Sequence, residues 1–386
     1  MKRLSNPFPY GRELRADELV NRDAERETIL RSLENRDKLF LIGPRRFGKT
    51  SLLATVEQEA WERGISVLRF DAEKYETLEL LAQAIVTGAA RAMQGGFERM
   101  SELVRTAAAA LRPTFQMDEH GSVSVQFGVD TGRKGELPLL GDALDSVEAL
   151  AERSGQQVAV VLDEVQQIVV EHGLVAERQL RATVQRHRSV AYVFAGSATR
   201  LLSEMTGHPD RPFYRLGSRL FLGEIPRGEF LAALEAGFEQ SGFGVEPGAC
   251  ERILDLAEEV PYNVQRLAHQ SWEMVRVSPD SPLSKELVDR ALESIVRMED
   301  TAYTQLWISL TRNQKKTLKA VIEAEGENLQ SSTISRQFKI PVSSIQRSLA
   351  DLEVKQILRV DHAGGTVRYR LVDPFLGGWI RVVQAF

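Results

Sequence analysis

The sequence is poor in cysteine and has no long apolar run. Its only cysteine is Cys250, which excludes internal disulfides and zinc sites built on cysteine. No apolar run approaches about 18 residues, the length that a membrane helix needs, and the opening Met1-Lys2-Arg3-Leu4-Ser5 lacks the apolar core of a secretory signal. We therefore expect a soluble, cytoplasmic protein in which Cys250 is a small buried residue.

The chain also lacks a strong overall charge, since 49 basic and 54 acidic residues leave a net charge of −5. The balance is uneven, because residues 311–386 carry +5 and residues 1–310 carry −10. With 386 residues, 43% of them hydrophobic, there is room for two or three domains with proper cores. An acidic main part with a basic tail suggests that the tail contacts an acidic partner.

A complete phosphate-loop motif, G-x-x-x-x-G-K-[ST], begins at Gly43. An apolar strand, Leu39 to Ile42, precedes it, and a helical pattern follows from Thr50 to Arg63. In such loops backbone N–H groups surround the phosphates, the lysine neutralises the β and γ oxygens, and the threonine hydroxyl reaches Mg²⁺. A chance match is the alternative, and the strand and helix argue against it. We predict an ATP and Mg²⁺ site formed by Gly43, Pro44, Arg45, Arg46, Phe47, Gly48, Lys49, Thr50 and Ser51.

A second part of such a site follows at Asp163-Glu164. The apolar run Gln157 to Leu162 is typical of a central strand buried on both faces, and it delivers the two acids at its carboxyl end. Asp163 would hold Mg²⁺ through water, and Glu164 would polarise the attacking water. A solvated turn is the alternative for the two acids alone. Paired with the phosphate loop, they favour hydrolysis over simple nucleotide binding.

Further strands are predicted at residues 65–70, 190–195 and 219–222, which gives five. Helical stretches alternate with them, so we predict an α/β fold with a five-stranded parallel sheet over residues 1–225. Residues 95–141 are predicted to be an insertion, with a hairpin from Phe115 to Val129 about Gly121 and a loop from Gly132 to Gly135. Residues 226–310 are predicted to form a helical lid domain, with breaks at 242–248, 261 and 278–282.

The tail, residues 311–386, has the pattern of a winged helix. Helices are predicted at 311–325, 332–338 and 343–353, the last opened by a capping box at Ser343-Ser344-Ile345-Gln346. Strands at 357–361 and 366–371 flank Gly364-Gly365, a hairpin turn signal. Val342, Ile345, Leu349 and Leu352 fall on the inner face of the third helix.

The outward face of that third helix would read DNA if the domain binds DNA. The candidate contacts are Ser344, Arg347, Arg368 and Arg370. Asp351 lies four residues after Arg347 and could pair with it instead. Contact with a protein is the open alternative for this domain.

Together these features resemble the archaeal-type AAA ATPases of archaea and bacteria, which are relatives of the origin-recognition and signal-transduction ATPases. The resemblance covers nearly the whole chain. The family more often has glycine at position 21 and shortly before the lid proline, where this chain has Asn21 and Glu258-Glu259. The residues that carry the resemblance are Asn6 to Gly11, Leu19 to Glu25, the phosphate loop, Asp163 to Gln166, Phe194 to Ser197, Phe213 to Arg215, Pro261 to Gln265, Asp373 to Phe375, and Trp379.

The resemblance implies further roles for single residues. Asn21 and Arg22, in the segment from Val20, and the turn at Pro261 would flank the adenine. Ser197, at the end of the fourth strand of the sheet, would be a polar sensor of the γ-phosphate, or else a cap on the helix that Thr199-Arg200 begins.

Arginines near the γ-phosphate are also implied. Arg215 is the first candidate, with Arg219 and Arg200 behind it, and a solvated surface arginine is the alternative for each. Arg266 would be a second sensor or an ordinary helix arginine.

Three functions fit these features. The first is an ATP-hydrolysing switch whose nucleotide state controls the winged helix. The second is a DNA-binding regulator in which nucleotide is mainly structural, and the third is an assembly module with slow or no turnover. The expected partners are ATP or ADP, duplex DNA, and a second copy or a partner protein, with no membrane. No nuclease, protease or toxin signature indicates which process the chain serves.

Overall fold

The computed structural model describes residues 5–92, 113–117, 123–127, 137–197, 200–277, 281–361 and 367–383. The predicted turns at Gly121, Gly132 to Gly135 and Gly364-Gly365 lie outside these ranges. The chain forms two compact units. One comprises Arg22–Gly43 and Lys49–Leu222, and the other comprises Met1–Asn21, Pro44–Gly48 and Gly223–Phe386. The central residues of the phosphate loop therefore belong to the second unit.

The first unit contains the predicted five-stranded sheet. Its strands are β1 (Lys38–Gly43), β2 (Ile65–Asp71), β5 (Gln157–Asp163), β6 (Val190–Ser197) and β7 (Ser218–Phe221). They lie in the order β2-β5-β6-β1-β7, and all neighbours are parallel. The prediction of a parallel α/β sheet is confirmed. Because the strands are parallel, their carboxyl ends meet at one edge, where Gly43 lies beside Ser197 and Asp71 beside Asp163.

Helices cover this sheet, and its central strands are buried because they have apolar residues on both faces. Phe40, Val160 and Phe194 are each at most 1% exposed. Two further strands, β3 (Pro113–Met117) and β4 (Val123–Phe127), pair antiparallel, which confirms the predicted hairpin. The helices are α1 (Asp23–Glu34), α2 (Lys49–Glu62), α3 (Leu78–Ala92), α4 (Leu137–Ser154), α5 (Gln166–Val184) and α6 (Arg200–Gly207).

The second unit contains five helices in the region predicted to be a lid. They pack around Phe230, Phe238 and Trp272, and Phe8 from the amino-terminal segment lies 4.8 Å from Phe238 between ring centroids. The helices are α7 (Arg227–Gln240), α8 (Ala249–Leu256), α9 (Pro261–Val277), α10 (Lys285–Met298) and α11 (Asp300–Ser309). The predicted breaks at 242–248 and at Pro261 are confirmed.

The same unit ends in three helices, a two-stranded antiparallel sheet and one more helix, as a winged helix requires. These elements are α12 (Arg312–Glu323), α13 (Ser332–Phe338), α14 (Val342–Val354), β8 (Leu358–Asp361), β9 (Arg368–Leu371) and α15 (Pro374–Val383). Of the four residues predicted for the inner face of the third helix, Ile345, Leu349 and Leu352 are buried and Val342 is half-buried. None of the helices in the described ranges is long and apolar enough to cross a membrane.

The predicted capping box at Ser343 is wrong. The helix α14 begins at Val342, and its N-cap is Pro341, which makes no side-chain cap bond. Proline suits the start of a helix because its fixed φ is helical and it has no N–H to satisfy. A capping box does open α12, where Thr311 and Gln314 bond each other's backbone N–H groups.

Candidate nucleotide-binding site

Lys49 is placed at the first residue of α2 by the phosphate loop. Its ammonium Nζ donates to the carbonyl of Gly43 at 3.0 Å, and its side chain is 6% exposed. The loop turns through left-handed backbone conformations at Arg46 (φ +70°) and Gly48 (φ +85°). Thr50 follows on the exposed side of the first turn, and Ser51 is buried.

Asp163 is the acid at the end of β5. It is 5% exposed, and its Oδ1 accepts the backbone N–H of Glu164 at 2.9 Å. Burial, followed by the negative charge of Glu164, raises the pKa of Asp163, while the charge of Lys49 acts in the opposite direction. The ionised carboxylate is therefore held at a cost, which a divalent cation would relieve.

A magnesium ion fits these residues if the nucleotide supplies the remaining oxygens. Among the residues that the structure describes, no group of three His, Cys, Asp or Glu could hold a metal by itself. Magnesium sites at bound nucleotides commonly use one or two carboxylates together with phosphate oxygens and water. Asp163 and the hydroxyl of Thr50 are the residues that would hold it.

Glu164 lies directly after β5 in a left-handed conformation, with φ +49°. Its carboxylate accepts the Ser197 hydroxyl at 3.1 and 3.2 Å and the Ser197 N–H at 3.4 Å. The side-chain amide of Gln166 donates to the same carboxylate. The structure thus brings the predicted base and the predicted sensor together. The alternative role of Ser197 as a helix cap rests on residues 198–199, which lie outside the described ranges.

Gln166 was missed by the sequence analysis as a functional candidate. It is 3% exposed, and its side chain fills the space beside Gly196. A Cβ atom at Gly196 would lie 2.2 Å from the Gln166 Oε1 atom. Both residues belong to motifs that carry the family resemblance, but neither motif alone indicates that one residue makes room for the other.

Of the arginines predicted near the γ-phosphate, Arg215 and Arg219 are exposed. Arg215 lies in a left-handed conformation (φ +56°), with its guanidinium 5.0 Å from the centre of the Tyr214 ring. Arg219 lies 5.9 Å from the centre of the Phe221 ring. In the described part of the chain, neither forms a hydrogen bond or an ion pair with Asp163 or Glu164. Arg200 begins α6, and the roles of all three arginines stay predictions.

Arg215 lies on a segment that buried charges fix in place. The guanidinium of Arg181 donates to the carbonyl of Tyr214 at 2.9 Å and also to that of Pro212. Glu177, which is fully buried, bonds the guanidinium of Arg211 and accepts the N–H of Phe213 at 3.1 Å. These contacts hold the segment before Arg215 against α5.

The residues predicted to flank the adenine retain the backbone that glycine would favour. Asn21 has φ +43°, and Glu258 and Glu259 have φ +48° and +55°. The resemblance places glycine more often at position 21 and shortly before Pro261, and left-handed backbone is what glycine adopts readily. Arg22 is 6% exposed and pairs with Glu25 at 2.8 Å. Pro261 is the first residue of α9.

Arg266, the possible second sensor, is bonded to Glu299. Both residues lie in the second unit, on α9 and directly after α10. This contact favours the alternative of an ordinary helix ion pair.

The candidate DNA contacts fall into two groups. Arg347 is exposed, and no ion pair in the described ranges joins it to Asp351, which instead accepts from the amide of Gln314 at 3.4 Å. Ser344 is half-buried on the same helix. In contrast, Arg368 donates to the carbonyl of Glu325 at 2.8 Å and lies 3.4 Å from its carboxylate.

Arg370 is also engaged by acids, at 3.2 Å from Asp361 and 3.9 Å from Glu258. The wing arginines are therefore neutralised within the unit, whereas Arg347 is not.

Comparisons with known proteins agree with the fold described above. Residues 301–382 match the family model described as "Probable winged helix domain". No curated protein sequence is significantly similar to this chain. The fold is similar to that of a Walker-type ATPase of Pyrococcus abyssi, with a TM-score of 0.66 and 16% identity over 97% of this chain and 100% of that one.

Two proteins of Aeropyrum pernix are similar as well. The ORC2 protein, in ADPNP and ADP complexes, has a TM-score of 0.55 and 18% identity over 95% of this chain and 93% of its own. The ORC1 protein in complex with DNA has a TM-score of 0.51 and 16% identity, with the same coverage. The chain thus has the fold of the archaeal Walker-type ATPase and ORC proteins, and it ends in a winged-helix domain.

Proposed function

We propose that the protein binds and hydrolyses ATP and that its nucleotide state controls the winged-helix domain. The observation that carries this proposal is the cluster at the carboxyl edge of the sheet. There Asp163 ends β5 and Glu164 follows it, Ser197 ends the adjacent strand β6, and Lys49 at the start of α2 bonds the carbonyl of the last residue of β1. The Glu164 carboxylate is fixed by donors from Ser197 and Gln166. The similarity to ORC2 in its nucleotide complexes supports the same interpretation.

Each residue has a distinct role in this proposal. Lys49 neutralises charge on the β and γ oxygens, and the loop amides orient the phosphates. Asp163 and Thr50 would hold Mg²⁺, which neutralises charge on the phosphates when bound. Glu164 orients and polarises the attacking water, and the Ser197 hydroxyl keeps the Glu164 carboxylate at the end of β5.

Two variants separate binding from hydrolysis. Lys49→Ala should abolish ATP binding because the phosphates lose the buried cation of the loop. Glu164→Gln should still bind ATP and should lose turnover by about 10² to 10⁴-fold, which is the range for a general base. Glu171→Gln, an exposed acid on α5, is the matched control and should hydrolyse ATP like the wild type. Wild-type turnover by folded Glu164→Gln would show that hydrolysis does not use this base.

We further propose that the winged helix binds duplex DNA through basic side chains that acids do not neutralise. Among the described residues, no ion pair reaches Lys316, Lys339 or Arg347. The ammonium of Lys316 donates to the carbonyl of Lys339 at 3.2 Å, so these two lysines lie together on α12 and at the end of α13. Phosphate contacts of this kind supply most non-specific DNA affinity. The ORC1 protein, whose structure contains DNA, supports this proposal.

The salt dependence of DNA binding by the full chain tests this proposal. Arg347→Ala should weaken binding and lower the slope of log affinity against log salt by about one, as expected for one lost phosphate contact. Arg368→Ala should change the slope less, because Glu325 already neutralises that guanidinium. Absence of binding at low salt would favour the alternative of a nucleotide-dependent protein-interaction or assembly module.

A further inference from the structure

The phosphate loop is bonded to the winged helix through Arg46. Its guanidinium Nη1 lies 3.0 Å from the Oδ2 atom of Asp373, which directly precedes α15, and 3.4 Å from the Oδ1 atom of Asn263 on α9. The same guanidinium stacks 5.1 Å above the Tyr262 ring, and the carbonyl of Arg46 accepts the Tyr262 N–H at 3.2 Å. All of these residues belong to one compact unit.

Asp373 is held in place from several directions. Its Oδ1 atom accepts from the Asn263 amide at 2.9 Å and from the Phe375 N–H at 3.2 Å, and its Oδ2 atom accepts the Tyr303 hydroxyl at 3.0 Å. Asn263 is fully buried. Burial, followed by the charge of Asp373, raises the pKa of Tyr303. The carboxylate is thus fixed by three elements, so the position of Arg46 is fixed with it.

A second contact joins the winged helix to the next residue of the loop. Phe47 is 2% exposed, and the guanidinium of Arg359 on β8 lies 5.3 Å above its ring. Burial, followed by the charge of Arg370, lowers the pKa of Arg359. In the described ranges the Nε and Nη2 atoms of Arg359 have no hydrogen-bond partner, and the carboxylate of Glu224 lies 3.8 Å away. The aromatic face of Phe47 therefore adds to the compensation that the carboxylates of Glu224, Asp361 and Glu258 provide for this buried cation.

These contacts explain how Arg46 keeps its backbone conformation. With φ +70° it lies in the left-handed region, which residues other than glycine adopt rarely and only when their surroundings hold them there. Arg46 is held in this conformation by its contacts with Asp373, Asn263 and Tyr262. The conformation of the loop three residues before Lys49 thus depends on a carboxylate of the winged helix.

We propose that Asp373 is a positioning residue of the phosphate loop. It fixes Arg46 and preorganises the loop for nucleotide, so displacement of the winged helix weakens nucleotide binding. By linkage, bound nucleotide stabilises the docked winged helix to the same extent. The inference rests on the proposed ATP site and adds the contact through which that site and the winged helix influence each other.

Titration of the full-length protein with MgADP tests the inference. Asp373→Asn and Arg46→Gln should each weaken binding about five- to thirty-fold, because each removes a charge-assisted hydrogen bond that orders the loop. The double variant should bind no more weakly than Arg46→Gln alone, because both substitutions act through one ion pair. Arg46→Gln also leaves the bonds of Asp373 to Asn263 and Tyr303 in place, which keeps the test usable if Asp373→Asn is unstable.

Asp351→Asn is the matched control, an exposed acid of the winged helix that bonds Gln314 instead of the loop. It should bind MgADP like the wild type. Wild-type affinity in folded Asp373→Asn, or additive losses in the double variant, would overturn the inference while nucleotide binding by the wild type stood. Failure of both the wild type and Asp351→Asn to bind MgADP would overturn the proposed function as well.

Discussion

Each end of the five-stranded sheet buries a carboxylate, and the two carboxylates differ in the hydrogen bonds that they accept. At the amino end, Glu148 of α4 is 8% exposed and accepts the N–H groups of Arg188, Ser189 and Val190 at 2.7, 2.8 and 3.0 Å. At the carboxyl end, Asp163 is 5% exposed, accepts the N–H of Glu164, and has its pKa raised by burial. The two carboxylates are thus similarly buried, but three backbone N–H groups donate to Glu148, whereas in the described part of the chain one donates to Asp163.

The surroundings extend this contrast. Beside Glu148, His187 bonds the Tyr192 hydroxyl and the Asp145 carboxylate, both at 2.7 Å, and its carbonyl accepts from Lys38 at 2.7 Å. Beside Asp163, Glu164 lies in a left-handed conformation. A satisfied buried network serves stability, whereas a buried charge with fewer donors next to a strained backbone is typical of a functional site. The amino end therefore has the features of a stabilising network, and the carboxyl end has those of the proposed nucleotide site.

The largest expected effect is at the amino end. Glu148→Gln should lower the free energy of unfolding by about 3 kcal/mol, because one carboxylate oxygen is replaced by an amide group that cannot accept from the buried N–H groups. Urea denaturation measures the loss. Glu152→Gln, an exposed neighbour on α4, is the matched control and should be near neutral. Affinity for MgADP should not change in either variant, and a specific loss of affinity in Glu148→Gln would contradict the division between the two ends.

The second prediction concerns Gly196→Ala, a substitution that disturbs the carboxyl end of the sheet without removing a charged group. In Gly196→Ala the new Cβ would meet the Gln166 side chain at 2.2 Å and that of Leu202 at 2.9 Å, so Gln166 must move away from Glu164. Overpacking of this kind should cost about 1 to 3 kcal/mol of stability. ATP turnover should fall about tenfold through the misplaced Glu164. Gly228→Ala, where a Cβ would meet nothing within 4 Å, is the control and should leave turnover unchanged.

The carboxyl end was more predictable from the sequence than the amino end. A phosphate loop and an acid-terminated apolar strand are local patterns, and a parallel sheet must bring their ends together, so Lys49, Asp163 and Glu164 could be predicted. The network at the amino end joins Glu148 on a helix to residues some forty positions later. No local pattern marks that pairing, since glutamate on a helix usually faces water.

Contacts between distant segments account for the other differences. Asp373 belongs to a motif of the resemblance, but its bond to Arg46 spans most of the chain. The charge of the tail was visible in the sequence, whereas the neutralisation of Arg368 and Arg370 depends on acids from neighbouring turns and from the lid. The sequence analysis placed the start of α14 one residue too late, at Ser343, because serine is a common N-cap residue. In the structure Pro341 occupies the N-cap position instead.

The third prediction, with the smallest effect, concerns the buried charge of Asp163 itself. Asp163→Asn should raise the free energy of unfolding at neutral pH by about 0.5 to 2 kcal/mol, as often happens when a functional site is relaxed. Because the pKa of Asp163 is raised in the folded state, the native protein binds a proton more readily than the unfolded chain. The destabilising contribution of Asp163 is therefore present at neutral pH and is lost as the pH falls through its raised pKa, so the advantage of Asp163→Asn should shrink toward acidic pH.

The most direct test of the account is the free energy of unfolding of the wild type and Asp163→Asn at neutral pH, each without ligand and with MgADP. Without ligand, Asp163→Asn should be the more stable protein. At MgADP near 100 times the wild-type dissociation constant, the wild type should gain about 2.7 kcal/mol and Asp163→Asn less, because it lacks the carboxylate that would hold Mg²⁺. The difference in free energy of unfolding between the two proteins should then become smaller or change sign. A wild type that is already the more stable protein without ligand, or equal gains in both proteins, would contradict the claim that this end of the sheet gives up stability to bind nucleotide.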